Sequence, residues 1–157
     1  MNEAFFTALK ARLTELTAGL RYLHKPSGTA MRPQIIDLMM DRPTAAVDEA
    51  EEYPFVRWML LDGEFHRGGR PSPFRVAVDC GIYTDGSIVE GNADICELCR
   101  TLGEGLMEWQ RYAGCRLSGP IRYTMGTPQA NVQNPDNPGL QPHPYYHARL
   151  FLDFLAS

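Results

Sequence analysis

Four cysteines, four histidines and a run of carboxylates are the residues of this 157-residue chain that could carry chemistry. Cys96 and Cys99 share the two-residue spacing of redox and zinc-binding pairs, and Cys80 and Cys115 could complete a set. A redox pair belongs at the first turn of its helix, where the exposed amides lower the thiol pKa. Cys96 and Cys99 fall about one turn inside a helical pattern, and Cys80 and Cys99 fall on apolar faces. All four therefore read as reduced packing thiols, with Cys96 nearer the helix flank. His143 and His147, with Asp153, form a conceivable metal triad. A His-x-x-x-His pair gains its ligand geometry on a helix, however, and these residues flank a strand pattern, so a polar strand face is expected. Asp48, Glu49, Glu51 and Glu52 lack the glycine-centred loop of a calcium site and read as a solvated turn. His66 has no partner by spacing, and the glycines from Asp62 to Pro73 precede a strand, whereas a phosphate cradle needs a helix N-terminus. Trp58 and Trp109 read as core aromatics. No nucleophile, acid–base pair, metal or cofactor is assigned.

The elements that must position these residues are organised around Phe74 to Ala113. Phe74, Val76, Val78, Cys80 and Ile82 alternate on one face of a strand, which must be buried. A turn over Thr84-Asp85-Gly86-Ser87 leads to Asn92, read as the N-cap of a long helix. Ile95, Leu98, Cys99, Leu102, Leu106, Trp109 and Ala113 make its apolar stripe, with Gly114 as the stop. The expected core is thus Val76, Val78, Ile82, Ile95, Leu98, Leu102, Leu106 and Trp109. Upstream, Asn2 caps a first helix with stripe residues Phe5 or Phe6, Leu9, Leu13, Leu16, Leu20 and Leu23, broken by Lys25-Pro26-Ser27-Gly28. Gln34 to Met40 and Tyr53 to Leu61 read as two strands of a hairpin, separated by the polar stretch Arg42 to Glu52.

Downstream, Arg116 to Met125 reads as a strand with a bulge at Gly119-Pro120. Tyr145 to Leu155 reads as a last strand with Tyr146, Ala148, Leu150, Leu152 and Phe154 on one face. Between them, residues 126–144 hold five prolines and three asparagines and fit neither element; long loops of this kind are usually functional or disordered. Pro128, Asn131, Asn134, Pro135, Asn137, Pro138, Leu140 and His143 are the candidate contacts to a neighbouring subunit or partner. The sum is one α+β domain over 1–157: a largely antiparallel, mixed sheet of about five strands with two amphipathic helices on one face. The net charge of −4, with no basic run, disfavours nucleic-acid binding; no segment fits a membrane span or export signal, so a soluble cytoplasmic protein is expected.

The order of parts is also informative: helix, strand, acidic turn, Tyr53-Pro54-Phe55-Val56, alternating strand, Gly91-Asn92-Ala93-Asp94-Ile95 opening a long helix, Gly119-Pro120-Ile121, and the strand from Tyr145-Tyr146-His147-Ala148-Arg149-Leu150. Over about residues 1–155 this order resembles the tail-terminator and tail-completion proteins of long-tailed bacteriophages. The resemblance implies a non-enzymatic virion protein that forms a ring, usually a hexamer, which ends the tail tube and meets the head connector. Its implied partners are further copies of itself, the tail-tube protein and connector proteins; its implied location is the host cytoplasm during assembly, then the virion tail. An acidic ring suits a conduit through which DNA slides. A head-completion or tail-tube protein, and a small metal or thiol enzyme using Cys96 and Cys99, are the other classes left open.

Overall fold

Two twelve-residue strands, β5 (Ser72–Tyr83) and β9 (Tyr145–Ala156), pair antiparallel without interruption from Ser72↔Ala156 to Tyr83↔Tyr145. The computed structural model describes residues 2–37, 52–126 and 143–156. Period-two alternation puts Val76, Val78, Cys80 and Ile82 beside Leu152, Leu150, Ala148 and Tyr146 on one buried face. β4 (Phe55–Gly63) flanks β5 antiparallel, and β3 (Gln34–Asp37) adds outside it. Beyond β9 lie β7 (Cys115–Leu117) and β8 (Arg122–Met125), with β6 (Arg111–Tyr112) paired to β7. These seven strands form one mixed sheet, and β1 (Tyr22–His24) and β2 (Thr29–Met31) form a separate hairpin. The α+β class holds, with more strands than the five expected.

Both helices lie on the same sheet face. α1 (Glu3–Thr17) is capped by Asn2, whose side-chain oxygen accepts from the Phe5 amide at 3.2 Å. It buries Phe5, Leu9 and Leu13, and Phe5 packs edge-on against Phe74 and Phe154. α2 (Ile88–Glu108) buries Ile95, Leu98, Cys99, Leu102 and Leu106 against β5 and β9. Its approach depends on glycine: a Cβ at Gly91 would stand 2.3 Å from the ring of Tyr146, which is itself fully buried.

Several expectations are corrected. α1 stops at Thr17, not near Leu23; Tyr22 and Leu23 instead enter β1, and Lys25 to Gly28 closes the β1–β2 hairpin with Gly28 at φ 66°. α2 begins one turn before Asn92. Ser87 is the cap, accepting from the Glu90 amide at 3.2 Å, while Asn92 donates to the Ile88 carbonyl at 2.9 Å. Ile88 and Val89 are exposed, so the buried stripe gave no sign of this first turn. α2 also ends early, at Glu108. Trp109 is extended and 42% exposed rather than core, and Ala113 (φ 47°) with Gly114 (φ 88°) makes the two-residue turn joining β6 to β7. The expected hairpin of β3 and β4 is a parallel pair, Gln34↔Phe55 through Asp37↔Trp58. The residues 38–54 between the two strands are numerous enough for the crossover that a parallel pair requires, whereas a hairpin needs only a short turn. The strand expected over Arg116 to Met125 is split into β7 and β8, with Gly119 at φ 76° between them.

Two substitutions test this packing. Leu102→Ala should lower unfolding free energy by about 2–5 kcal/mol through lost burial and a cavity. Gly91→Ala should also destabilise, by about 1–3 kcal/mol, because the clash with Tyr146 outweighs the gain of roughly 1 kcal/mol in helix propensity. Chemical denaturation of both variants checks this, and a stabilised Gly91→Ala would contradict the helix placement.

Candidate functional site

The sheet face turned away from the helices carries the polar groups. On it, cross-strand register builds rows from β4, β5 and β9: Phe55–Gly81–His147, then Arg57–Asp79–Arg149, then Met59–Ala77–Phe151. Arg75 and Asp153 form a fourth pair. Asp79 is buried at the centre. Arg149 grips it with two bonds, Nε to Oδ1 at 2.5 Å and Nη2 to Oδ2 at 2.9 Å, and the Nε of Arg57 lies 3.6 Å from Oδ2. Arg57 also stacks on Phe55 and reaches Glu52 at 3.8 Å. Asp153 takes Arg75 at 2.8 Å and Arg122 at 3.5 Å.

Gly81 makes the first row possible. A Cβ there would lie 2.5 Å from the Phe55 ring and 2.8 Å from the Tyr53 ring, so its absence lets both rings cross the strand toward His147. Tyr53 packs on Phe55 and Tyr145, and its hydroxyl meets His147 Nε2 at 2.5 Å. Burial, with the charge of Arg57 nearby, lowers the His147 pKa to about 4, against the smaller opposing pull of Asp79. The imidazole is therefore neutral near pH 7 and accepts from Tyr53 when its proton is on Nδ1. A general base works best with a pKa near the working pH, and this one lies well below it.

The histidine–aspartate triad is not brought together. His143 Nδ1 meets the hydroxyl of Tyr146, a residue of the helix-covered face, whereas His147 lies on the other face. Asp153 is six residues along β9 from His147, about 20 Å away at the rise of a strand. Among the described residues no three His, Cys, Asp or Glu side chains cluster as metal ligands. Cys80, Cys99 and Cys115 are buried and Cys96 is exposed. Burial pushes the Cys80 thiol well up and the Cys99 thiol to about 11, opposite to the lowered pKa of a reactive thiol. His66 pairs with Glu64 at 3.2 Å in solvent, and Trp58 donates to Asp37 at 3.0 Å while stacking on Phe6. Asp48, Glu49 and Glu51, and the interface candidates Pro128, Asn131, Asn134, Pro135, Asn137, Pro138 and Leu140, lie outside the described residues.

Large apolar side chains stand in water at both ends of the β5–β9 axis. Phe65 is fully exposed in the β4–β5 connection, with Leu60 and Leu61 behind it, and Met107 and Trp109 project at that same end of α2. Ile88 and Val89 are exposed at the opposite end. Their sequence signal was present but misleading, since Ile88 and Val89 look like core residues and Phe65 sits in a glycine-rich stretch. Among the described residues, no helix is long and apolar enough to cross a membrane. Comparison with models of known protein families and with curated proteins finds no match.

The lowered His147 pKa has a measurable consequence. Below about pH 6.5 the unfolded chain takes up a proton that the native imidazole refuses until about pH 4. The His147 contribution is therefore full above pH 6.5 and is lost as pH falls to 4, by about 3 kcal/mol in all. Subtracting the stability of His147→Gln from that of wild type across pH 4–7.5 should isolate this slope; a flat difference would contradict the buried neutral imidazole.

Proposed function

We propose that this chain is a ring-forming structural protein of a long-tailed phage, a tail terminator that ends the tube and offers a surface to the head connector. The observation that carries the reading is the placement of exposed apolar side chains at two unlike, well separated ends of one rigid sheet. A chain with two different sticky ends associates head to tail, and head-to-tail contacts close into rings when the rotation permits. The α+β fold is compatible with the resemblance drawn from Tyr53-Pro54-Phe55-Val56 and the last strand, although α2 opens at Ile88 and not at Gly91 to Ile95. The polar rows of the far face act in this reading as the lock that keeps the sheet rigid, not as reacting groups.

The mass of the assembled species in solution tests the proposal. Sedimentation equilibrium should give a closed oligomer, expected at six chains, and a monomer at every concentration would overturn it. Residues 126–144 supply a second test. Met125 pairs with Ala148, and the Gly126 amide donates to the His147 carbonyl at 2.9 Å, so the chain leaves and re-enters the sheet at adjacent positions. Replacing residues 128–142 with a short Gly/Ser linker should therefore leave the domain folded, because closing this gap needs little chain. Ring formation, and tail joining in phage complementation, should be lost. Normal assembly by the deletion variant would remove the segment from the interface.

A further inference from the structure

We infer that successive copies join with the β4–β5 arm of one chain lying across the first turns of α2 on the next. This rests on the ring reading and specifies its contact. The arm begins after the last sheet pair, Gly63↔Phe74, and residues 60–71 are all exposed. Gly68 and Gly69, at φ 76° and 72°, make the bend that carries Phe65, Arg67 and Arg70 beyond the sheet. Glu64 is engaged by His66, and among the described residues neither Arg67 nor Arg70 has an ion-pair partner. The arm thus presents an exposed aromatic ring beside two guanidinium groups.

The start of α2 offers the complement. Ile88 and Val89 are 61% and 77% exposed; Asp85 and Glu90, exposed, flank them in sequence and the half-buried Asp94 lies one turn beyond Glu90, none with an ion-pair partner among the described residues. Burial, and after it the carboxylates of Glu97 and Glu90, raise the Asp94 pKa. Within one chain the two surfaces cannot meet. The arm leaves the sheet at Phe74 and α2 starts beyond Tyr83, nine strand residues or about 30 Å further on. Between chains they match: an aromatic side chain against aliphatic ones, with guanidinium groups against carboxylates at the rim. Charge at a rim steers the encounter and fixes orientation, while the apolar centre holds it.

Charge reversal separates this contact from the ring reading as a whole. Arg67→Glu with Arg70→Glu on the arm, or Glu90→Lys with Asp94→Lys on the helix, should each raise the concentration for half-assembly by at least about tenfold. Phe65→Ser should do the same without changing charge. Both charge pairs combined in one chain should restore assembly, which a folding defect would not allow. Thermal unfolding of the arm variants should stay near wild type, since residues 60–71 are exposed, and rescue in the combined chain excludes a folding defect from the changes at first-turn Glu90 and half-buried Asp94. Higher salt should weaken wild-type assembly. An oligomer indifferent to all these changes would overturn the arm–helix contact and leave the ring standing. Loss of assembly by both charge variants with no rescue in the combination would also overturn it. A wild-type chain that never assembles would overturn both.

Discussion

The β5–β9 pairing sets the rest of the molecule, because twelve consecutive residues on each strand share one register with two unlike faces. A slip by one residue would turn Leu150 and Leu152 into water and drive Arg149 and Asp153 beneath the helices. The apolar face resists that slip through burial, and the far face resists it through the Arg57–Asp79–Arg149 row, whose bonds exist in one register only. Charge inside a sheet face adds little net stability when the whole group is exchanged for apolar side chains. A shifted register would leave Asp79 buried without its arginines, at a cost in free energy.

The helices meet that fixed face at places where side chains have been removed. Gly91 accepts the Tyr146 ring, and Gly105 accepts Leu16 of α1, whose methyl would lie 2.1 Å from a Cβ. The α1–α2 seam is then closed by a buried cation. Arg12 donates to the Gly105 carbonyl at 2.7 Å and to Glu108 and Glu15 at 3.0 Å, and its guanidinium lies 4.6 Å over the Trp109 ring. A cation beside the last carbonyls of α2 suits the negative end of the helix dipole. This explains why Trp109 leaves the stripe: it turns outward at the end of α2 to cover Arg12 instead of entering the core.

The strands and helices with one-sided patterns were legible from sequence because burial imposes their periods, as in Val76 to Ile82, Ile95 to Leu106 and Tyr146 to Phe154. What escaped was decided by long-range contacts or by local chemistry that periodicity does not report. The parallel pairing of β3 with β4 has the same local signal as a hairpin. Leu20 and Leu23 continue a helical spacing that Gly19 and the β1–β2 hairpin interrupt. Of the residues with chemical potential, the packing role of Cys80 and Cys99 followed from face alone. The Tyr53–His147 contact did not, since it joins residues 94 apart and depends on the missing side chain of Gly81.

The sheet's edges bear on how copies could meet. An exposed strand edge is a ready route to association, because its amides and carbonyls await a partner. Among the described residues the outer strands are short, four residues in β3, two in β6 and four in β8, and β4 extends beyond β3 only from Met59 to Gly63. Strands this short offer few consecutive backbone bonds to an added strand. The two ends of the β5–β9 axis differ in this respect. They carry side chains whose burial is favourable, and they project from an element held rigid by the full length of its register. A contact built there draws on apolar burial and rim charge rather than on new strand pairing.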